Sequence, residues 1–246
     1  MLDKQNGGKN MKFGIICAMP EEIKTLIAQL VDEKVTTLGD KHYHQGKLSD
    51  QAVILVESGI GKVEAALTAE HLIVDFGADV VINSGSAGGI GAGLKVGDVV
   101  ISTATAYHDV DVTAFGYQYG QLPAGQPAVY AASKKWGAAL AQAGAATGLT
   151  IKQGLIVTGD QFVASQAQIA KIKAHFPDAL SAEMEGAAVG QVAFDHQVPY
   201  VVVRAMSDTG DEQASGSFDE FILEAGRRSA AMLLHLFAAM KEGKLD

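Results

Sequence analysis

The stretch Val198 to Asp211 reads VPYVVVRAMSDTGD. Tyr200 to Val203 is a short apolar, β-branched run bounded by turn signals, the pattern of a strand buried on both faces. Arg204, Ser207 and Asp208 follow at its carboxyl end. Ligands of open α/β sheets bind outside the carboxyl ends of strands. Asp208, beside an arginine and a serine, is therefore a candidate acid. On this argument alone, a turn-forming role for the same residue weighs equally.

Working outward, the same kind of junction recurs. Lys12 to Ala18, KFGIICA, has a buried-strand pattern, and Ile23, Leu26, Ile27 and Leu30 then recur at helical spacing. Pro20 suits a first helical position, and Glu21 and Glu22 suit the first turn, where the helix dipole favours negative charge. Glu22 stands out because it too lies just beyond a strand end. His42 to Leu48 and Gln51 to Glu57 predict a hairpin turning at Ser49-Asp50. Ser58-Gly59-Ile60-Gly61-Lys62 then leads into a helix to about Val74. This glycine pair is no phosphate loop, which would need Gly at Val56 and Ser or Thr at Val63. Asp79 to Asn83 predicts a strand, followed by a loop of small residues from Ser84 to Gly91. The dinucleotide spacing fails there, since a third glycine would have to stand at Val96. What survives is a segment of low bulk, in which Ser86, Ala87 and Gly88 can lie against a ligand. Val96 to Ser102 reads as a further strand.

The segment Ala106 to Gly125 is rich in aromatics and turn residues, as an interface loop or a lid would be. Its His108, Asp109 and Asp111 match no standard metal-ligand spacing. Ala131 to Ala146 predicts a helix and Ile151 to Val157 a strand, which ends near Phe162. That aromatic is placed either to stack on a planar base or to pack in the core. Gln166 to Ala174 predicts a helix. SAEMEG, Ser181 to Gly186, leads into a helix reaching about Phe194. Glu183 and Glu185 would point the same way in an extended stretch and diverge on a helix. Phe218 to Met240 is an amphipathic helix. Alternating buried strands and helices predict an α/β/α sandwich with a mixed central sheet.

Composition narrows the function. The 246-residue chain is 48% hydrophobic and carries a net charge of −9, with arginine only at positions 204, 227 and 228. It lacks the basic footprint of a nucleic-acid binder. Cys17 is the single cysteine, so neither a disulfide framework nor a thiolate zinc cluster is expected. Met1 to Asn10 is polar and without an apolar core, and is expected to be a disordered extension rather than a secretory signal. Residues 11–246 are expected to form one domain. No run is long enough to span a bilayer, and a cytoplasmic location is expected. Glu22, Glu185 and Asp208 at element junctions suit glycosyl cleavage, in which one acid protonates the leaving group and one carboxylate activates water. No metal or other cofactor is expected.

Several segments together resemble the 5′-methylthioadenosine/S-adenosylhomocysteine nucleosidases of the purine nucleoside phosphorylase superfamily. They are GIICAMPEE (14–22), SGIGKVEAA (58–66), INSGSAGG (82–89), LKVGDVV (94–100), YHDVDVTAFGYQYGQLPAG (107–125), GLIVTGDQFV (154–163), EMEGAA (183–188), VVVRAMSD (201–208) and SFDEF (217–221). The resemblance implies that Glu22 activates the attacking water, with Ser86 and Arg204 near that water. It implies that Glu185 binds the ribose hydroxyls and that Asp208, supported by Ser207, protonates adenine N7. Phe162 would stack on the base and Val163 would contact it through its backbone. Met19, Ile60, Met184 and Phe218 would surround the ribose and the 5′-thio group. Val112, Phe115 and Pro123 would reach the 5′-thio subsite of a neighbouring subunit, implying a homodimer. The alternatives are a phosphorylase or an aminofutalosine hydrolase of the same superfamily, and a non-catalytic nucleoside-binding protein.

Overall fold

The computed structural model describes residues 11–209 and 214–244, apart from the side chains of 214–220. The expected extension Met1–Asn10 lies outside the described residues. The chain opens with β1 (Lys12–Cys17), α1 (Pro20–Ile27), β2 (Val31–Leu38), β3 (Lys41–Leu48), β4 (Gln51–Glu57) and α2 (Lys62–Val74). Next come β5 (Val80–Gly89), β6 (Val99–Tyr107), β7 (Tyr130–Ala131), α3 (Lys134–Ala146) and β8 (Ile151–Thr158). The last elements are α4 (Gln166–His175), β9 (Ala179–Glu183), α5 (Gly186–His196), β10 (Tyr200–Asp208) and α6 (Ala214–Lys241). Among the described residues no helix is long and apolar enough to cross a membrane.

The strands form one mixed sheet. The central strand β5 pairs in parallel with β1 through Val80–Asn83 and with β10 through Val81–Gly88. At its far end, Gly88 and Gly89 pair antiparallel with β9. From β10 the pairing passes antiparallel to β6, then in parallel to β8 and β9. β5, β10, β6, β8 and β9 therefore close on themselves, while β1, β4, β3 and β2 extend from β5 as an open sheet. The closed part gathers the carboxyl ends of β5, β8, β9 and β10 into a small region, and the site lies there.

Strand periodicity sorts the core into layers. Successive side chains of a strand point to opposite faces. Phe13, Ile15 and Cys17 of β1, with Val201, Val203 and Ala205 of β10, join α1, α3 and α6 on one face. Ile16, Tyr200, Val202 and Met206 join α2 and α5 on the other. A third cluster packs α4 against β8 and β9. The expected three-layer α/β arrangement around a mixed sheet is present.

Several boundaries differ from expectation. Strand β2 is an addition, because VDEKVTTL is an exposed edge strand with no buried face to impress a pattern on its sequence. Strand β9 is another, and its 5 residues are too few to show a period. Ser84–Gly89, expected to be loop, is the second half of β5. β6 begins at Val99 rather than Val96, and α3 at Lys134 after an N-cap at Ser133, whose side chain accepts the Trp136 N–H.

Candidate active site

Glu22 is fixed by the local chemistry of a helix start. It is the third residue of α1, and its Oε2 reaches back to accept the N–H groups of Ala18 (3.0 Å) and Met19 (3.2 Å). Oε1 accepts from the backbone N–H and the hydroxyl of Ser86, each at 2.9 Å. Helix-start chemistry and a functional position thus coincide in one side chain. Glu22 is only 4% exposed. Burial pushes its pKa up, while the Arg204 charge and the Ser86 and Ala18 donors pull against it; the net direction is upward.

Within the strand half Ser84–Gly89, the neighbours of Gly85 account for the absence of a side chain there. Gly85 stands opposite Arg204 in the parallel register of β5 and β10. A Cβ at that position would come within 2.7 Å of Arg204 Nη1 and 2.8 Å of Glu22 Oε1. Real Cβ contacts are not that short, so the glycine leaves space for the two side chains. Gly226 of α6 serves α1 in the same way, since a Cβ there would lie 2.5 Å from the Glu21 carbonyl oxygen.

Arg204, expected near the attacking water, has its guanidinium beside Glu22, both flanking Gly85. It is 1% exposed and does not line the cavity. Its guanidinium forms a close ion pair with Glu183, donates to Asn83 Oδ1 at 2.6 Å and lies 3.4 Å from Glu185 Oε2. Its charge acts on Glu22, but its hydrogen bonds go to the EMEG segment and to β5. Glu183, absent from the predicted site residues, is the organiser here. It accepts from Arg204, Thr158 and the N–H groups of Glu185 and Gly186. The available signal was the i, i+2 spacing of Glu183 and Glu185. Glu183 ends β9 and Glu185 caps α5, and both carboxylates converge on Arg204.

Glu185 also accepts the Gly61 N–H at 2.8 Å. Burial first, then the Glu183 charge, pushes its pKa up to about 7 against the pull of Arg204 and Gly61. Across the site, Asp208 is 1% exposed at the end of β10, and its Oδ2 accepts the Ser207 hydroxyl at 2.9 Å.

These groups surround one cavity of about 330 Å³. The predicted residues that line it are Met19, Glu22, Ile60, Ser86, Ala87, Gly88, Phe162, Val163, Met184, Glu185, Ser207 and Asp208. Ala18, Gln161, Ala182 and Glu183 line it as well. The cavity wall is mostly apolar, with carboxylates at separate points, an arrangement suited to a compact ligand with a flat apolar part and a few polar atoms. Phe218 stands in the first turns of α6, where side chains lie outside the described residues. Val112, Phe115 and Pro123 do not line this cavity; Phe115 closes a single 3₁₀ turn, Thr113–Phe115, and is 82% exposed.

A strand-end cavity of this build, on a mixed sheet with helices on both faces, defines a class. Residues 12–238 match the family model of the phosphorylase superfamily. A 5′-methylthioadenosine/S-adenosylhomocysteine nucleosidase of Actinobacillus succinogenes is 46% identical over 231 residues, covering 94% of this chain and all (100%) of the relative. The nucleosidase of S. pneumoniae, solved with a transition-state inhibitor, superposes with a TM-score of 0.89 at 47% identity, covering 94% of this chain and 100% of that one. That of Neisseria meningitidis, in complex with methylthio-immucillin-A, gives a TM-score of 0.90 at 44% identity, covering 93% and 99%. The chain belongs to the 5′-methylthioadenosine/S-adenosylhomocysteine nucleosidase family of that superfamily.

Proposed function

We propose that this chain hydrolyses the N-glycosidic bond of 5′-methylthioadenosine and S-adenosylhomocysteine, releasing adenine and the 5-thio-substituted ribose. The observation that carries the proposal is one cavity whose four buried acids include Glu22, Glu185 and Asp208, each held by its own hydrogen bonds, beside Glu183, which is paired with Arg204. Glu22 takes a proton from a water molecule whose oxygen attacks the anomeric carbon. The C1′–N9 bond breaks, and its electron pair leaves with the base. Asp208 gives its proton to N7, so that adenine departs neutral. Glu185 holds the ribose hydroxyls, Phe162 stacks on the base, and Val163 meets the base edge through its backbone. Met19, Ile60 and Met184 border the ribose and the 5′-thio group.

Hydrolysis is favoured over phosphorolysis by the position of Arg204. A phosphate dianion is usually held by several arginines. Arg204 is committed to Glu183, Asn83 and Glu185. Glu22, on the cavity wall, would repel phosphate.

Residues 11–246 act as one nucleosidase domain. The protein works as a cytoplasmic homodimer, with Val112, Phe115 and Pro123 of each copy closing the 5′-thio subsite of the other. It needs no cofactor, and its place is in methionine salvage and the removal of a methylation by-product. The test is adenine release from methylthioadenosine, S-adenosylhomocysteine and adenosine in phosphate-free buffer. Strict dependence on phosphate, with ribose-1-phosphate as product, would refute the hydrolase reading.

A further inference from the structure

The HDVD segment after β6 matches no metal set, yet one of its residues is placed with care. Asp109 Oδ2 accepts the Lys62 ammonium at 2.7 Å and the Asp160 backbone N–H at 2.9 Å. Asp160 in turn accepts the backbone N–H of Lys62 at 3.0 Å through Oδ1, and its Oδ2 lies 3.4 Å from the Lys62 ammonium. The Lys62 ammonium also sits over the Tyr107 ring, 5.5 Å from its centroid. Three segments far apart in sequence are thus joined by two carboxylates and one ammonium.

Two of the three segments have a stake in the cavity, which the Asp109 segment itself does not line. The segment before α2 carries Ile60, and the one after β8 carries Gln161, Phe162 and Val163. The first N–H groups of a helix have no partner within it. At the start of α2 they go to carboxylates of other elements, Gly61 to Glu185 and Lys62 to Asp160. The same backbone turn therefore holds the Glu185 carboxylate on one side and the Asp109 network on the other. Side-chain exposures of 23% for Lys62 and 13% for Asp109 leave the pair partly shielded from water and salt. Burial pushes the Asp109 pKa up, but the Lys62 and Asp160 hydrogen bonds and the Lys62 charge outweigh it, and the net direction is downward.

We infer that Asp109 is a positioning residue: with Lys62 and Asp160 it clips the segment bearing Ile60 to the segment bearing Phe162 and so sets the width of the nucleoside cavity. The inference rests on the nucleosidase reading. Asp109 touches no reacting atom. It acts on how well substrate is held through Ile60, Phe162 and the Gly61 partner of Glu185.

The test compares wild type with Asp109→Ala, Asp109→Asn, Lys62→Met and the double variant Asp109→Ala/Lys62→Met. Adenine release from methylthioadenosine gives kcat and KM, and thermal unfolding is measured alongside. Asp109→Ala should raise KM about tenfold to a hundredfold, the scale on which a supporting residue acts on a site, with kcat within about threefold. Asp109→Asn keeps an oxygen for both donors and should recover part of the loss. The double variant should raise KM no further than the worse single one, because both changes break one clip. KM unchanged in Asp109→Ala, or single effects that multiply in the double variant, would overturn the inference. If Asp109→Ala does not fold, Lys62→Met with unchanged KM overturns it equally. Failure of wild type itself to release adenine would instead strike the hydrolase reading.

Discussion

Replacing Glu22 by glutamine keeps the volume and exchanges one carboxylate oxygen for an amide NH₂. The four donors around the carboxylate determine how the amide settles. If the NH₂ takes the place of Oε2, it faces the N–H groups of Ala18 and Met19, and two backbone donors lose their acceptor. If it takes the place of Oε1, it faces the Ser86 N–H, while the Ser86 hydroxyl can turn and accept. The second orientation wins, with one buried backbone donor left unpaired at a cost of about 1–3 kcal/mol. Against this, the substitution removes a carboxylate whose charge is penalised by burial. The two effects oppose each other, and for a chain of this size each net 1 kcal/mol moves Tm by about 2–4 °C. Stability should therefore change by a few degrees at most. Catalysis should not be spared, because an amide cannot take a proton from water at neutral pH. The loss of a general base lowers kcat by about 10²–10⁴-fold, or about 3–5 kcal/mol of barrier at 1.36 kcal/mol per decade. The assay is single-turnover adenine release, with binding of methylthioadenosine followed by calorimetry and Tm by scanning calorimetry. Binding should persist. Adding Ser86→Ala to Glu22→Gln should cost little more, since both act on one base. A kcat within tenfold of wild type, in a folded variant that binds substrate, would refute the assignment of Glu22 as the base.

Two further outcomes are expected from neighbouring geometry. With its pKa raised from 4.5 to about 7, Glu185 binds a proton more tightly in the folded than in the unfolded chain. Its contribution to stability is fully present below pH 4.5, falls as pH rises to about 7 and is then flat, a change of at most about 3 kcal/mol; denaturant unfolding of Glu185→Gln across that window should lack this part of the slope, and an unaltered slope would reject the raised pKa. Gly85→Ala forces a Cβ against Arg204 Nη1 and Glu22 Oε1, so it should lose about 1–3 kcal/mol of stability through overpacking and lower kcat with it, whereas wild-type activity in a variant of wild-type Tm would mean that the strand opens without moving either side chain.

The sequence made β1 and β10 readable because their apolar runs are largely buried on both faces, and the start of α1 because Pro20 and the acidic first turn mark it. It hid β2, whose exposed face imposes no pattern, and β9, which is too short to show one. The second half of β5 was hidden for a different reason. Ser84–Gly89 has the composition of a loop although it is a strand: at Gly85 Arg204 and Glu22 fill the space a Cβ would need, and at Gly89 Met206 and Leu94 crowd it. A strand that serves a site can thus lose the signature by which strands are recognised. The acids Glu22, Glu185 and Asp208 were found from their places at element junctions, while their roles came from the family resemblance. The pairing of Arg204 with Glu183 was not legible from either. Nothing local to VVVRAMSD distinguishes an arginine bonded to Glu183 from one facing the cavity, since the deciding partner lies 21 residues away on another strand.

The placement of Arg204 bears on why such a site would cleave with water. Glu22, Glu183 and Glu185 are all buried around it, so with all four groups ionised the cluster carries three negative charges against one positive, a net of −2. Burial opposes this excess, and both Glu22 and Glu185 answer with pKa values raised above the usual carboxylate range. Adding a phosphate dianion would enlarge the excess of negative charge, in surroundings where like charges interact strongly. A ribose gaining positive charge as its bond to the base lengthens reduces that excess instead. The attraction is weak for the neutral nucleoside and grows as the oxocarbenium character develops, so it favours the transition state over the bound substrate. Part of the carboxylates' burial cost in the resting site is thereby relieved only at the moment of bond cleavage. Arg204 keeps that cost tolerable without cancelling it, and it can do so only from behind the cavity wall, where its own charge is engaged by Glu183 before it can oppose the cation forming on the sugar.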